Sequence, residues 1–387
     1  MIVSNTHECF QVLDLDLQIS KSMNRPTFRS ISPILPVETL ELIFSHLERH
    51  ELVPVIGSSS LFHNTASRVL YRTITETSSV RAVQLVKTLA SNNAYPKYVR
   101  SIDLDFANNI ITANLLRLLH RVLQRVNSLT TLILDFSTTD NTADVAWIFE
   151  GCSFSLMSFT SSMRCDLSLA RFLATQPRIT ELSLRGFDMV YDFELEPMAL
   201  PKLEHFRTVM SCPDIIREVL KGRPVQSVSM SLHAGDVNTS LDSLLLSATA
   251  IKRLTVMSFE SEPPITLIPL IADRLPQLEA FHLVVLMTNY TQVRFQAMHG
   301  VILRLLIYAD DCFQETLLEL SASLAQFKAL KYLTFMAPGV ATSFNDERSI
   351  AEAWSKACPT LQTIILPKGL VWFQRDENWA CLRDSEE

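Results

Sequence analysis

The chain has 387 residues, 48% apolar and 19% charged, with a formal net charge of −7 and a pI near 5.8. That leaves ample material for a folded core and little for a long disordered tail. No basic run exceeds two residues, which argues against a nucleic-acid backbone or an anionic membrane as the main partner and leaves only a local basic patch open.

Cysteines at 9, 152, 165, 212, 312, 358 and 381 form no CxxC pair, a pattern that fits buried thiols in a reducing compartment. No secretory signal opens the chain. The apolar run Leu115 to Leu123 is broken by Arg117, His120 and Arg121. The expectation is a soluble cytoplasmic or nuclear protein, in which the acceptor triplets at Asn238 and Asn289 are chance matches.

In chain order, residues 1–30 form an N-terminal extension: the alternating piece Val12 to Leu17, open as a strand or as disorder, and then a polar linker through Pro26. From Pro33 to about Thr75 the apolar spacing is helical. Leu40, Ile43, Phe44 and Leu47 come first, then Leu52, Val55 and Ile56, then Phe62, Ala66, Val69 and Leu70, which predicts three short helices, the second opening at Leu52.

From residue 76 to 369 the chain repeats the form L-x-x-L-x-L. Copies begin at Val99, Leu129, Leu156, Ile179, Leu203, Val225, Ile251, Leu278, Leu303, Leu330 and Leu361, 22 to 31 residues apart. Many follow a breaker such as Gln176-Pro177, Leu200-Pro201 or Arg223-Pro224. Helical patterns lie between them at Ala113 to Val126, Leu169 to Thr175, Asp214 to Lys221, Thr266 to Arg274 and Glu315 to Phe327. A short strand and a helix recurring at this period predict an α/β solenoid, because no unit can bury its apolar face alone. An open α/β sheet is the alternative. Residues 370–387, with Trp372 and Phe373, read as a C-terminal cap and tail.

Along each strand the fourth and sixth positions point inward, while the third and fifth share the opposite, concave face. Eight of the eleven fifth positions are polar: Asp103, Thr160, Ser183, Arg207, Ser229, Thr255, His282 and Thr334. With third positions such as Ser101, Glu181, His205 and Arg253, they outline a wetted surface for a large partner. Its candidate contact residues are Ser101, Asp103, Glu181, His205, Arg207, Arg253 and His282. Taken one at a time, each is also explained as part of a solvated sheet face, and Glu181 near His205 and Arg207 as local charge pairing.

Catalytic and metal motifs are missing. The sequence has no HExxH, GxGxxG, Walker loop or G-x-S-x-G, and only eight glycines. His46 and His50 share a helical face by spacing but read as exposed polar residues. Asp103, Asp105 and Asp135 have no histidine, lysine or glycine loop to complete an acid–base site. No enzyme activity, cofactor or metal is expected.

Residues 31–75 resemble the F-box, through Leu35-Pro36, Glu38, Leu40, Ile43-Phe44, Leu47, Leu52, Phe62, Ala66 and Leu70-Tyr71. The resemblance implies a module that docks on the Skp adaptor, and through it on cullin, with Leu35, Pro36, Glu38, Leu40, Ile43, Phe44 and Leu47 as adaptor-binding residues. Pro36 sits where a missing amide is harmless, and Glu38 faces the positive end of the helix dipole. The array resembles the irregular leucine-rich repeats that follow the F-box in many fungal proteins, a horseshoe with a parallel concave sheet that recruits a protein substrate for ubiquitin transfer. It departs from them in lacking the usual buried Asn past each strand, replaced by Ala107, Ser137, Phe187, Ser211 or Phe259, so its turns must satisfy their amides by other groups. The other reading is a non-catalytic repeat scaffold, unconnected to a ligase, whose N-terminal helices only cap the array.

Overall fold

Helix α1, Val37–Ser45, starts behind Pro36, whose φ of −58° and ψ of 152° place it just outside the helix, and it carries Glu38 in its first turn. Helix α2, Arg49–Ser58, begins three residues before Leu52. The amide of Glu48 donates to the Glu51 carboxylate at 2.8 Å and fixes that start. This start puts His46 after α1 and His50 inside α2, so the two histidines share no helix, and His50 pairs instead with Glu48 at 3.2 Å. Pro54 sits inside α2. Helix α3, Ser60–Arg72, is capped by the Ser59 hydroxyl, which accepts from the Phe62 amide at 3.2 Å.

The computed structural model describes residues 35–107, 111–136, 144–185, 192–209, 212–233, 235–259, 264–286, 317–337, 343–375 and 378–381. The extension 1–30, the copy at Leu303, Cys9, Cys312, Asn289, Ser137, Phe187 and Ser211 lie outside them. The chain divides into two compact units, Met1–Met163 and Arg164–Glu387.

In the first unit the helical pattern ends at Arg72, and Thr73–Glu76 is strand β1, where the sequence suggested continued helix. The chain runs on through α4, Ser79–Ser91, β2, Ser101–Phe106, α5, Ala113–Leu123, β3, Thr131–Phe136, and β4, Ser158–Ser161. The four strands are parallel and ordered β1-β2-β3-β4, in the register Thr73↔Ser101↔Thr131↔Ser158.

The second unit holds α6, Leu167–Ala174, β5, Glu181–Arg185, β6, His205–Val209, α7, Pro213–Leu220, and β7, Ser227–Leu232. Next come α8, Val237–Leu244, β8, Arg253–Ser258, α9, Pro264–Arg274, and β9, Ala280–Val285. Helix α10, Ser321–Leu324, strand β10, Tyr332–Met336, helix α11, Phe344–Ala357, and strand β11, Thr363–Ile365, follow. Strands β5 to β11 are parallel neighbours in chain order. β10 pairs directly with β9, in the register Tyr332↔Ala280.

Each of the ten described copies gives a strand, and each strand begins at the third position of its copy. The second positions hand the ladder on through the backbone. Lys252 donates to Gln226, Glu279 to Lys252, Lys331 to Glu279 and Gln362 to Lys331, all at 2.8 Å. First and fourth positions, such as Leu203 with Phe206 and Leu278 with Phe281, are fully buried and build the core against the helices.

Other groups replace the missing Asn at the turns. The Asp105 carboxylate accepts from Ala107 N at 2.8 Å, and Ser161 Oγ accepts from Met163 N at 3.1 Å. The Ser162 hydroxyl accepts from the Phe136 amide at 2.6 Å and donates to its carbonyl at 3.0 Å.

At the C-terminal end the direction reverses: β12, Val371–Arg375, is antiparallel to β11, and β13, Asn378–Cys381, is antiparallel to β12. Glu347, buried in the first turn of α11, accepts from the Lys368 amide at 3.0 Å and from the Trp372 indole at 3.4 Å. The aromatic tail of the last repeat is thereby bound to the helix before it.

Candidate functional site

The sequence-derived adaptor residues divide into two groups. Leu40 and Phe44 are buried and form the module's own core with Leu52, Ile56 and Ala66, and Leu47 packs partly buried against it. Phe44 meets the Phe62 ring edge-on at 5.4 Å. Leu40 and Phe44 therefore hold the helices together and are not presented at the surface. Leu35, Pro36, Glu38 and Ile43 are exposed, Leu35 at 42% and Ile43 at 45%. Leu42, outside the stripe read from the sequence, is the most exposed of these apolar side chains at 63%. Its signal was an apolar residue off the buried face of an amphipathic helix.

The module is tied to the sheet beside it. Arg49 donates to the carbonyls of Thr73 at 2.8 Å and Thr75 at 3.1 Å, and Arg68 pairs with Glu41 at 3.1 Å. Arg68 also lies 5.8 Å from the centre of the Tyr98 ring.

The candidate partner-facing residues fall on the sheet face opposite the core, in each unit separately. In the first unit Ser101 and Asp103 are half-buried on β2, in register with Thr131 and Ile133, and Asp105 lies beside Asp135. In the second unit Glu181, His205, Ser227 and Arg253 form one cross-strand row, and Ser183, Arg207, Ser229, Thr255 and His282 form the next. Glu181, Arg207 and Arg253 are exposed. No ion pair joins Glu181 to His205 or Arg207, so these charges stand side by side without local pairing. His282 shares a 2.8 Å hydrogen bond with the Thr334 hydroxyl, and burial pushes its pKa below the ordinary imidazole value. Next to this row, Glu279 lies between Lys331 at 3.1 Å and Lys252 at 3.6 Å, and these ammonium groups, Lys331 first, hold its carboxyl below the usual range.

Among the described residues no group of three or more His, Cys, Asp or Glu side chains is placed to hold a metal, and no helix is long and apolar enough to cross a membrane.

The N-terminal end of the chain, which holds this three-helix core, matches an F-box domain. The match is to the family described as the COS11 F-box domain, over residues 33–108, and so runs past the helices through β1 and α4 to the end of β2. No curated protein matches the chain. F-box domains are non-catalytic adaptor modules that generally bind an Skp-type adaptor, in keeping with a chain that is not an enzyme.

Proposed function

We propose that this chain is the substrate-recognition subunit of a Skp–cullin–F-box type ubiquitin ligase. Its F-box domain docks the adaptor, and the leucine-rich-repeat-like array of residues 76–369 recruits a protein substrate on its polar sheet face. The observation that carries this reading is the exposed apolar set Leu35, Leu42 and Ile43, with Pro36 and Glu38, outside a core already filled by Leu40 and Phe44. Side chains of this kind gain by burial against another protein. Ubiquitin transfer would then follow from proximity, with the chemistry carried by an enzyme elsewhere in the complex.

The test is retention of the purified full chain on Skp adaptor and cullin. Leu35→Ala with Pro36→Ala and Ile43→Asp should abolish retention while circular dichroism and melting stay unchanged. Unaltered retention by that variant overturns the assignment.

One observation favours a second reading, a scaffold whose helices only cap the array: Arg49 ties α2 to the sheet's first strand. Under it the wild-type chain fails to retain the adaptor, and the same substitutions act on stability alone.

A further inference from the structure

Six residues on three adjacent strands of the second unit form a block on the polar sheet face. His205 and Arg207 come from β6, Ser227 and Ser229 from β7, and Arg253 and Thr255 from β8, in the registers His205↔Ser227↔Arg253 and Arg207↔Ser229↔Thr255. Each side chain is exposed or half-buried, and none makes a hydrogen bond or ion pair with another described residue. Every one carries an N–H or O–H donor, two are permanent cations, and none is an acid. Among the described residues, register and chain order place two carboxylates at its border: Glu181, one strand out from His205, and Glu204, which precedes His205 in the chain. In the Lys252–Glu279–Lys331 group beside the block the one carboxylate is already held by two ammonium groups, so it does not offset the arginines.

This local excess of donors is unusual in a chain of net charge −7. Arg207 and Arg253 occupy opposite corners of the block, two strands and two residues apart. At about 4.8 Å between strands and about 3.3 Å per residue, their Cα atoms are roughly 12 Å apart. The spacing suits two separate anionic groups better than one. In an extended chain with acidic residues at alternate positions, carboxylates four residues apart are about 13 Å apart, and each can meet one guanidinium fork while the serine and threonine hydroxyls between them take the remaining oxygens.

We infer that this block binds an extended acidic segment of a protein partner, with Arg207 and Arg253 as its two carboxylate-binding residues and His205, Ser227, Ser229 and Thr255 as donors between them. The inference rests on the reading of this face as the substrate surface, and it is independent of adaptor docking.

The probe is a fluorescent peptide of alternating Glu and Ser, titrated against the full chain by anisotropy. The same peptide with Gln for Glu, a Gln peptide carrying one phosphoserine, and an oligothymidylate serve as comparators. The Glu peptide should bind at least tenfold more tightly than each comparator, and more weakly as salt rises. Arg207→Gln with Arg253→Gln should lower that affinity at least tenfold with melting unchanged, and Arg207→Glu with Arg253→Glu should shift preference to a Lys–Ser peptide. Equal binding of Glu and Gln peptides overturns the inference, as does tighter binding of the phosphoserine peptide or the oligothymidylate, or indifference to the arginine substitutions. Adaptor retention is measured on the same samples. Peptide binding without retention removes the ligase assignment and leaves the block intact, and retention without peptide binding does the reverse.

Discussion

The guanidinium of Arg49 donates to the main-chain carbonyl of Thr73 at 2.8 Å, and its second arm reaches Thr75 at 3.1 Å. β1 is the first strand of its sheet. The Arg72 carbonyl is taken by the Arg100 amide on the β2 side, so by alternation those of Thr73 and Thr75 point away from β2, along the edge that no described strand covers. Arg49 thus occupies acceptors that would otherwise invite a foreign strand. Arg49→Ala should lower stability by about 1 kcal/mol, discounted for solvent exposure, and increase self-association at high concentration. Urea unfolding and light scattering check both effects, and Arg49→Lys, which lacks the fork, should restore only part.

The division within α1 gives opposite expectations for neighbouring positions. Leu42→Asp should leave stability within about 0.5 kcal/mol of wild type, as exposed substitutions usually do. Phe44→Ala removes a core ring and should cost roughly 3–5 kcal/mol. Chemical denaturation of the two variants distinguishes a presented side chain from a packed one.

Arg223 is 2% exposed and bonded only to main-chain carbonyls: Ala199 at 2.9 Å, Glu196 at 3.0 Å, and Glu218, Val219 and Lys221 at the end of α7 at 2.6, 3.5 and 3.0 Å. Burial lowers its pKa. Arg223→Met should destabilise by roughly 3 kcal/mol or more, because five carbonyls lose their donor at a buried position. Thermal unfolding measures the loss, and a change under 1 kcal/mol would contradict it.

Cys165 is buried, and its thiol is pushed up to about 12 chiefly by desolvation, then by Cys212 and Asp166. At pH 8 only about one thiol in ten thousand is ionised. Cys165 should resist iodoacetamide in the native chain and react only in denaturant, as mapped by mass spectrometry. Cys152, also raised to about 12 by burial, should be similarly slow.

His282 titrates below its unfolded value because burial disfavours the imidazolium. As pH falls, the unfolded chain takes up the proton first, so this contribution to stability is full above the ordinary imidazole pKa and is lost as pH drops through the folded value. His282→Gln should narrow the fall in melting temperature between about pH 7.5 and pH 5. An unchanged pH dependence would contradict this expectation.

The sequence by itself determined where the strands of the ten described copies begin and which of their side chains are buried. Apolar residues recurring at the fourth and sixth positions can be hidden in one way only along a strand of period two, as Phe281 and Leu283 are, while the first position, buried at Leu278, precedes the strand. It likewise determined three N-terminal helices through the three-and-four spacing within Leu40, Ile43, Phe44 and Leu47, within Leu52, Val55 and Ile56, and within Phe62, Ala66, Val69 and Leu70. Tertiary structure decided the rest: that Thr73–Glu76 is a strand, that β10 lies beside β9, and that β12 and β13 run antiparallel. It also decided that Phe44 is packed while its neighbour Ile43 is presented, and that Arg207 and Arg253 meet no carboxylate among the described residues. The physical reason is range. A periodic pattern records which face of an element avoids water, whereas the partners of Arg49 and Arg223 lie up to 27 residues away in the chain, and only the folded chain brings them within a hydrogen bond's reach.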